Sequence, residues 1–168
     1  MFTTQAVALP QKKRALQGRR LVAVDIENVA GGALMTREMA EWARSVAESA
    51  LDIQEGEQVV IGTSHTGLFN VKSAWPCARI KARSGEDGAD RELLEVLTSE
   101  GIEQRFDEVV LISGDHIFVE AVAALGGSGV IVTVASWARS LSSRLRVAAA
   151  HTVYLDDWVS LHTYKEIA

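Results

Sequence analysis

Short apolar runs alternate with helix-period segments along almost the whole chain, and this limits the fold more than any other feature of the sequence. Residues 21–24, 59–61, 109–112 and 130–135 read as strands, with weaker strands at 78–82 and 153–155. Between them lie helical segments. Thr36 offers an N-cap to a helix with the apolar face Met39, Ala43, Val46, Ala47 and Ala50. A second helix spans 64–75 and is blocked by Pro76. A third spans 88–100 and stops at Gly101, a fourth spans 116–125 and ends at Gly126 and Gly127, and a fifth spans 138–150. Strands that are apolar at every position are buried on both faces, as in parallel sheets. Strands alternating with helices require crossover connections, which are right-handed. The expected fold class is therefore α/β, a three-layer α/β/α sandwich around a mainly parallel sheet.

A chain of 168 residues is one domain's worth, and 48% apolar with 23% charged residues is ordinary globular composition. No apolar run reaches the roughly 18 residues of a membrane span. The N-terminus shows no apolar stretch of signal-peptide length, so a cytoplasmic address is expected. Cys77 is the only cysteine, which excludes an intrachain disulfide and a thiolate metal cluster. Lys12, Lys13, Arg14, Arg19 and Arg20 fall within the first twenty residues, which hold no acid. A net charge of −5 then leaves −10 on the remainder. Residues 1–18 read as a basic, flexible arm, and 19–168 as a single domain. An acidic body does not suit a general nucleic-acid coat, but it suits a hydrolase whose acids bind cations.

In open parallel sheets, ligands bind outside the carboxyl ends of the strands, where the strand order reverses. Two strands end in acids: VAVD at Asp25 and VVLISGD at Asp115. A carboxylate just past a buried strand must be solvated, hydrogen-bonded or bound to a cation. Taken singly, each is equally a helix cap; two at one edge point to a site. In GADRELLEVL, Asp90 is in line with Leu93, Leu94 and Leu97, so it faces the sheet from the first turn of its helix. The alternative is a capping arrangement in which Asp87 caps that helix and Asp90 stands at its third position.

The order VDIEN, then GEDGAD opening a helix, then LISGDHIF, then a strand VIVTV and a Ser-Leu-rich helix, resembles the NYN branch of the PIN-like nucleases over about residues 20–156. The resemblance implies a PIN-like (Rossmannoid) sheet ordered 3-2-1-4-5, which would make the Asp25 and Asp115 strands neighbours. It implies catalytic roles for Asp25, Asn28, Asp90 and Asp115, with Ser113 and Gly114 completing the Ser-Gly-Asp run. The three aspartates would bind Mg²⁺ or Mn²⁺, which suit hard oxygen ligands, and the implied activity is metal-dependent hydrolysis of RNA, or of another nucleic acid. The family commonly reads Ser-Gly-Asp-Ser-Asp-Phe, and the second Asp of that run is Ile117 here. Glu27, Glu86 and Asp87 are available substitutes on loops at the same edge.

Substrate phosphates need positive partners, and Arg83, Arg139, Arg144 and Arg146 are the candidates. Ser64 and His65 follow the second strand and reach the same edge. His116 beside Asp115 can transfer protons near neutral pH. Trp137, following the fifth strand, could stack on a base, whereas Trp42, Trp75 and Trp158 read as packing residues. Two other functions compete. VDIEN and SGDHIFVE also resemble haloacid-dehalogenase-like phosphatases, where Asp25 would be a nucleophile, but no lysine sits in a matching motif. With Ile117 in place of an acid, the domain could instead bind RNA or a protein partner without cutting. No nucleotide-binding glycine loop is present. The sequence leaves open a homo-oligomer.

Overall fold

The computed structural model describes residues 18–159. The basic segment 1–17 and the end of the chain from 160 lie outside the described residues, so the expectation of a flexible arm falls there. The elements are β1 (Arg20–Asp25), α1 (Ile26–Ala30), α2 (Arg37–Leu51), β2 (Gln58–Thr63), α3 (Leu68–Ala74), β3 (Arg79–Ala82), α4 (Gly88–Ser99), α5 (Ile102–Arg105), β4 (Glu108–Ile112), α6 (Val119–Gly127), β5 (Ile131–Ser136), α7 (Ser143–Ala148) and β6 (His151–Tyr154). Short 3-10 turns lie at His116–Phe118 and Leu155–Trp158.

All six strands run parallel in the order 3-2-1-4-5-6. The expected order of the first five holds, and the last strand extends the sheet beyond β5. β1 is central because its side chains are apolar on both faces. Val22 and Val24 enter a core built with α1, α2 and α3, whereas Leu21 and Ala23 enter a second core built with α4 to α7. Strand order reverses at β1, which pairs with β2 on one side and β4 on the other.

Several local expectations are corrected. Thr36 does cap α2, its hydroxyl accepting the Met39 N–H at 3.2 Å, but the buried face is Ala40, Ala43, Val46, Ala47 and Leu51. The helix expected from residue 64 begins at Leu68, because Ser64 to Gly67 form tight turns. The helix expected over 138–150 shrinks to Ser143–Ala148, since the Ser142 hydroxyl caps it and sets its start. Gly126 and Gly127 belong to α6, and the reversal falls on Gly129 at φ +92°. β2 continues through Gly62 to Thr63.

Candidate functional site

At the carboxyl end of β1, Asp25 closes the strand and caps α1. Its Oδ1 accepts the Asn28 N–H at 3.1 Å, and its Oδ2 accepts the Ser113 hydroxyl at 2.9 Å. The register makes this possible: Val24 pairs with Ile112, so Ser113 follows at the next position of the neighbouring chain. Asp25 is 5% exposed and Ser113 fully buried.

Asp25 is also paired in register with Gly62 of β2. A Cβ on Gly62 would stand 2.7 Å from both the Ala89 carbonyl oxygen and Leu93 Cγ. The missing side chain therefore lets α4 lie close on the sheet and brings Asp90, in its first turn, against Asp25. The two carboxyl groups are in hydrogen-bonding contact. Burial pushes the Asp25 pKa well above the usual carboxylate range, and the charge of Asp90 adds to it, against the pull of the Asn28 N–H and Ser113 hydroxyl. Asp90 is raised too, first by burial and then by the charges of Asp115, Asp87 and Glu27, while its bond with Asp25 acts the other way. Two carboxyls this close share a proton when no cation lies between them.

A cleft of about 210 Å³ opens over this pair, lined by Asp25, Glu27, Asn28, Ser64, Arg83, Asp87, Asp90 and Asp115 among others. Glu27 ties the ends of β1 and β2 together, its Oε1 accepting the Ser64 N–H at 2.8 Å. Asp87 is in the left-handed region at φ +55° and makes no side-chain cap, so the capping arrangement considered for Asp87 and Asp90 is not the one formed. Arg83 joins the lining but is engaged: its Nε lies 2.9 Å from Oε1 of Glu92, which also pairs with Lys81 at 3.0 Å. Sequence reading missed Glu92, a buried acid on the inner side of α4. A charged residue one place before Leu93 was the available signal.

Asp115 lines the cleft from the β4 side while capping its own 3-10 turn, accepting the Ile117 N–H at 2.9 Å. His116 is exposed, with Nδ1 3.2 Å from Asp115 Oδ1. Ile117 packs partly buried against the second core. His65 is exposed and bonded through Nδ1 to the Ser84 hydroxyl, outside the lining residues. Arg139 lies on the exposed turn after β5, also outside the lining, as do Arg144 and Arg146 on α7. Trp137 is no base platform: it is 7% exposed, stacks on Trp42 with ring centroids 6.1 Å apart, and donates its Nε1–H to the Val29 carbonyl at 3.0 Å.

The three aspartates thus share one cleft without closing on one point. Among the described residues, no group of three or more His, Cys, Asp or Glu is spaced to hold an ion directly, and one oxygen of Asp115 is engaged with its own turn. The donors still fit a small hard cation, since Mg²⁺ uses one or two carboxylates and keeps much of its water. Two further atoms support that fit. Asn28 Oδ1 and Ser64 Oγ are buried without a hydrogen-bond partner, and both residues line the cleft. Such groups cost roughly 1–3 kcal/mol each unless water, ion or ligand satisfies them.

No curated protein matches the chain. A crystal structure of a protein of unknown function from Vibrio parahaemolyticus is similar in fold, with a TM-score of 0.54 and 21% identity over 83% of this chain and 93% of that one. The NYN domain family matches residues 21–156, the span that carries β1 through β6 and every acid of the cleft. This chain belongs to the NYN domain family and has its PIN-like nuclease fold.

Proposed function

We propose that this domain is a Mg²⁺- or Mn²⁺-dependent ribonuclease that hydrolyses phosphodiester bonds in exposed single-stranded RNA. The observation that carries the reading is the Asp25–Asp90 pair: two carboxyls held in contact at the strand-order reversal, which only a proton or a cation relieves. Asp25 and Asp90 would hold the ion, and Asp115 would act through its water shell. When bound, such an ion acidifies water and neutralises charge on a phosphodiester.

The chain's own groups supply the remaining functions. Ser113 and the Asn28 N–H fix the Asp25 carboxylate. Asn28 Oδ1 and Ser64 Oγ, both unpaired, orient water or a substrate hydroxyl without adding charge. Arg83, half exposed at the rim, offers its outer N–H groups to a phosphate while Glu92 holds its inner edge. His116 is at hand for proton transfer beside Asp115. The phosphatase alternative needs a lysine over Asp25, and among the described residues no lysine lines the cleft.

The test is cleavage of several unstructured RNAs in millimolar Mn²⁺. Asp25→Asn should lower the rate by on the order of 10²- to 10³-fold, the scale for losing a preorganised electrostatic group. Equal rates for the two proteins overturn the enzyme reading. They favour instead a binding module, for which the packed Ile117 in place of an acid is the supporting observation.

A further inference from the structure

Beyond the acid cleft, the structure exposes an aromatic that its packing does not explain. Phe69, in the first turn of α3, is 84% exposed and belongs to neither core. A single exposed apolar residue is ordinary, but four features set this one apart. The chain reaches it directly from the cleft: Ser64 lines the cleft, and the next residues wind through successive turns, Gly67 N–H to Ser64 O at 3.2 Å and Leu68 N–H to His65 O at 3.3 Å. One helical step further on the same outward face stands Lys72, three residues after Phe69. Lys72 is exposed and has no ion-pair partner among the described residues, whereas Arg83, which lines the cleft, is tied to Glu92, as is Lys81. The support is rigid as well, because the Asn70 side-chain amide donates to the Leu34 carbonyl at 2.8 Å and locks α3 to the loop after α1. That loop also carries Met35, 66% exposed.

We propose that Phe69 and Lys72 form a substrate platform on α3, Phe69 stacking on a base and Lys72 meeting a phosphate of the RNA strand that leaves the acid cleft. The proposal deepens the ribonuclease reading and rests on it. Its logic is division of labour. The cleft is acidic and Arg83 is the one cation in its lining among the described residues, so contacts outside it add to the free energy that holds the strand. An aromatic face accepts every base, and a lone lysine adds one counterion-releasing contact. The helix that carries the ring is already tied to the neighbouring loop, so little backbone freedom is lost on binding.

The experiment measures steady-state cleavage of an unstructured RNA by wild type, Phe69→Ala, Phe69→Trp and Lys72→Gln, with fluorescence of a 2-aminopurine-labelled RNA followed in parallel. Phe69→Ala should raise KM about tenfold with little change in kcat and should abolish the stacking-dependent quenching. Phe69→Trp should restore both. Lys72→Gln should raise KM less and flatten its dependence on log salt by about one unit. Thermal melting should not move, since both side chains are exposed. If wild type cuts RNA and Phe69→Ala matches it in KM and quenching, the platform is wrong and the ribonuclease reading stands. If wild type neither cuts nor binds any RNA, both fall. If Phe69→Ala instead converts a dimer to a monomer in sedimentation with KM unchanged, the patch belongs to a second copy of this chain and the proposal is overturned.

Discussion

At the amino end of the strands, Arg20 and Glu57 form a buried, two-pronged ion pair, and the same guanidinium donates to the carbonyls of Leu51 and Asp52 at 3.2 Å each. Beside it, Arg79 grips both oxygens of Glu100 at 2.6 Å. At the carboxyl end of the same six-residue strand, Asp25 meets Asp90, and Asp115, Glu27 and Asp87 surround the pair. One end of the sheet satisfies its charges within the chain. The other leaves an excess of negative charge in a cleft, which is costly unless something from outside the chain supplies the balance.

The largest effect expected in stability comes from the end that is balanced. Glu57→Ala strands the Arg20 guanidinium, whose side chain is 7% exposed, and should cost about 3 kcal/mol in urea unfolding. A loss below about 1 kcal/mol would mean that the pair is no better matched than the acids. Next comes the geometry that creates the imbalance. Gly62→Ala must push α4 outward, with an expected cost of about 1–3 kcal/mol, and should separate Asp90 from Asp25 and lower Mn²⁺-dependent cleavage with them. Unchanged stability would show that α4 does not depend on that close approach.

The two ends should also respond to pH with opposite sign. Folding raises the pKa of Asp25, so between its unfolded value near 4 and the raised folded value the folded state binds more protons. That contribution to stability is complete below the unfolded value and is lost as pH rises. Glu100 is lowered, chiefly by its bonds to Arg79, so its contribution is present above the unfolded value and is lost as pH falls. In metal-free buffer, Asp25→Asn should therefore flatten the decline of the melting temperature above pH 4 and raise it near neutrality, by roughly 2–4 °C for each kcal/mol relieved. Its amide can donate to Asp90 as the protonated acid does. A lower melting point for Asp25→Asn at pH 7 would contradict the repulsion argument. The smallest effect is expected for Glu100→Ala, below about 1 kcal/mol, because Arg79 is half exposed and screened.

Much of this was legible in the chain itself. The four central strands announced themselves through apolar runs, the two edge strands more weakly, and the aspartates closing two of the central ones located the cleft. Asp90 was found from its place in the leucine stripe. The unread parts depend on partners distant in sequence. α1 is five residues long, too short for any period to show. Gly62 looked like a strand end because nothing local says that a helix presses on it. Trp137 sat at the right edge, yet its ring turned inward to Trp42 and the Val29 carbonyl. Asp115 was placed at the cleft, but the sequence could not tell that its carboxylate also caps the turn after it.

The central position of β1 also has a consequence in time. Asp25 and the Ser113 hydroxyl that holds it stand 88 residues apart in the sequence, and both neighbours of β1, together with α4, come after it in the chain. During synthesis from the N-terminus, Asp25 is among the first parts of the site to appear, and it has nothing to bury it until β2, α4 and β4 have been made and docked. Until then it remains a hydrated, ordinary carboxylate. The pairing with Asp90 needs α4 to have been made, so a partly made chain carries the first acid of the cleft without the cleft.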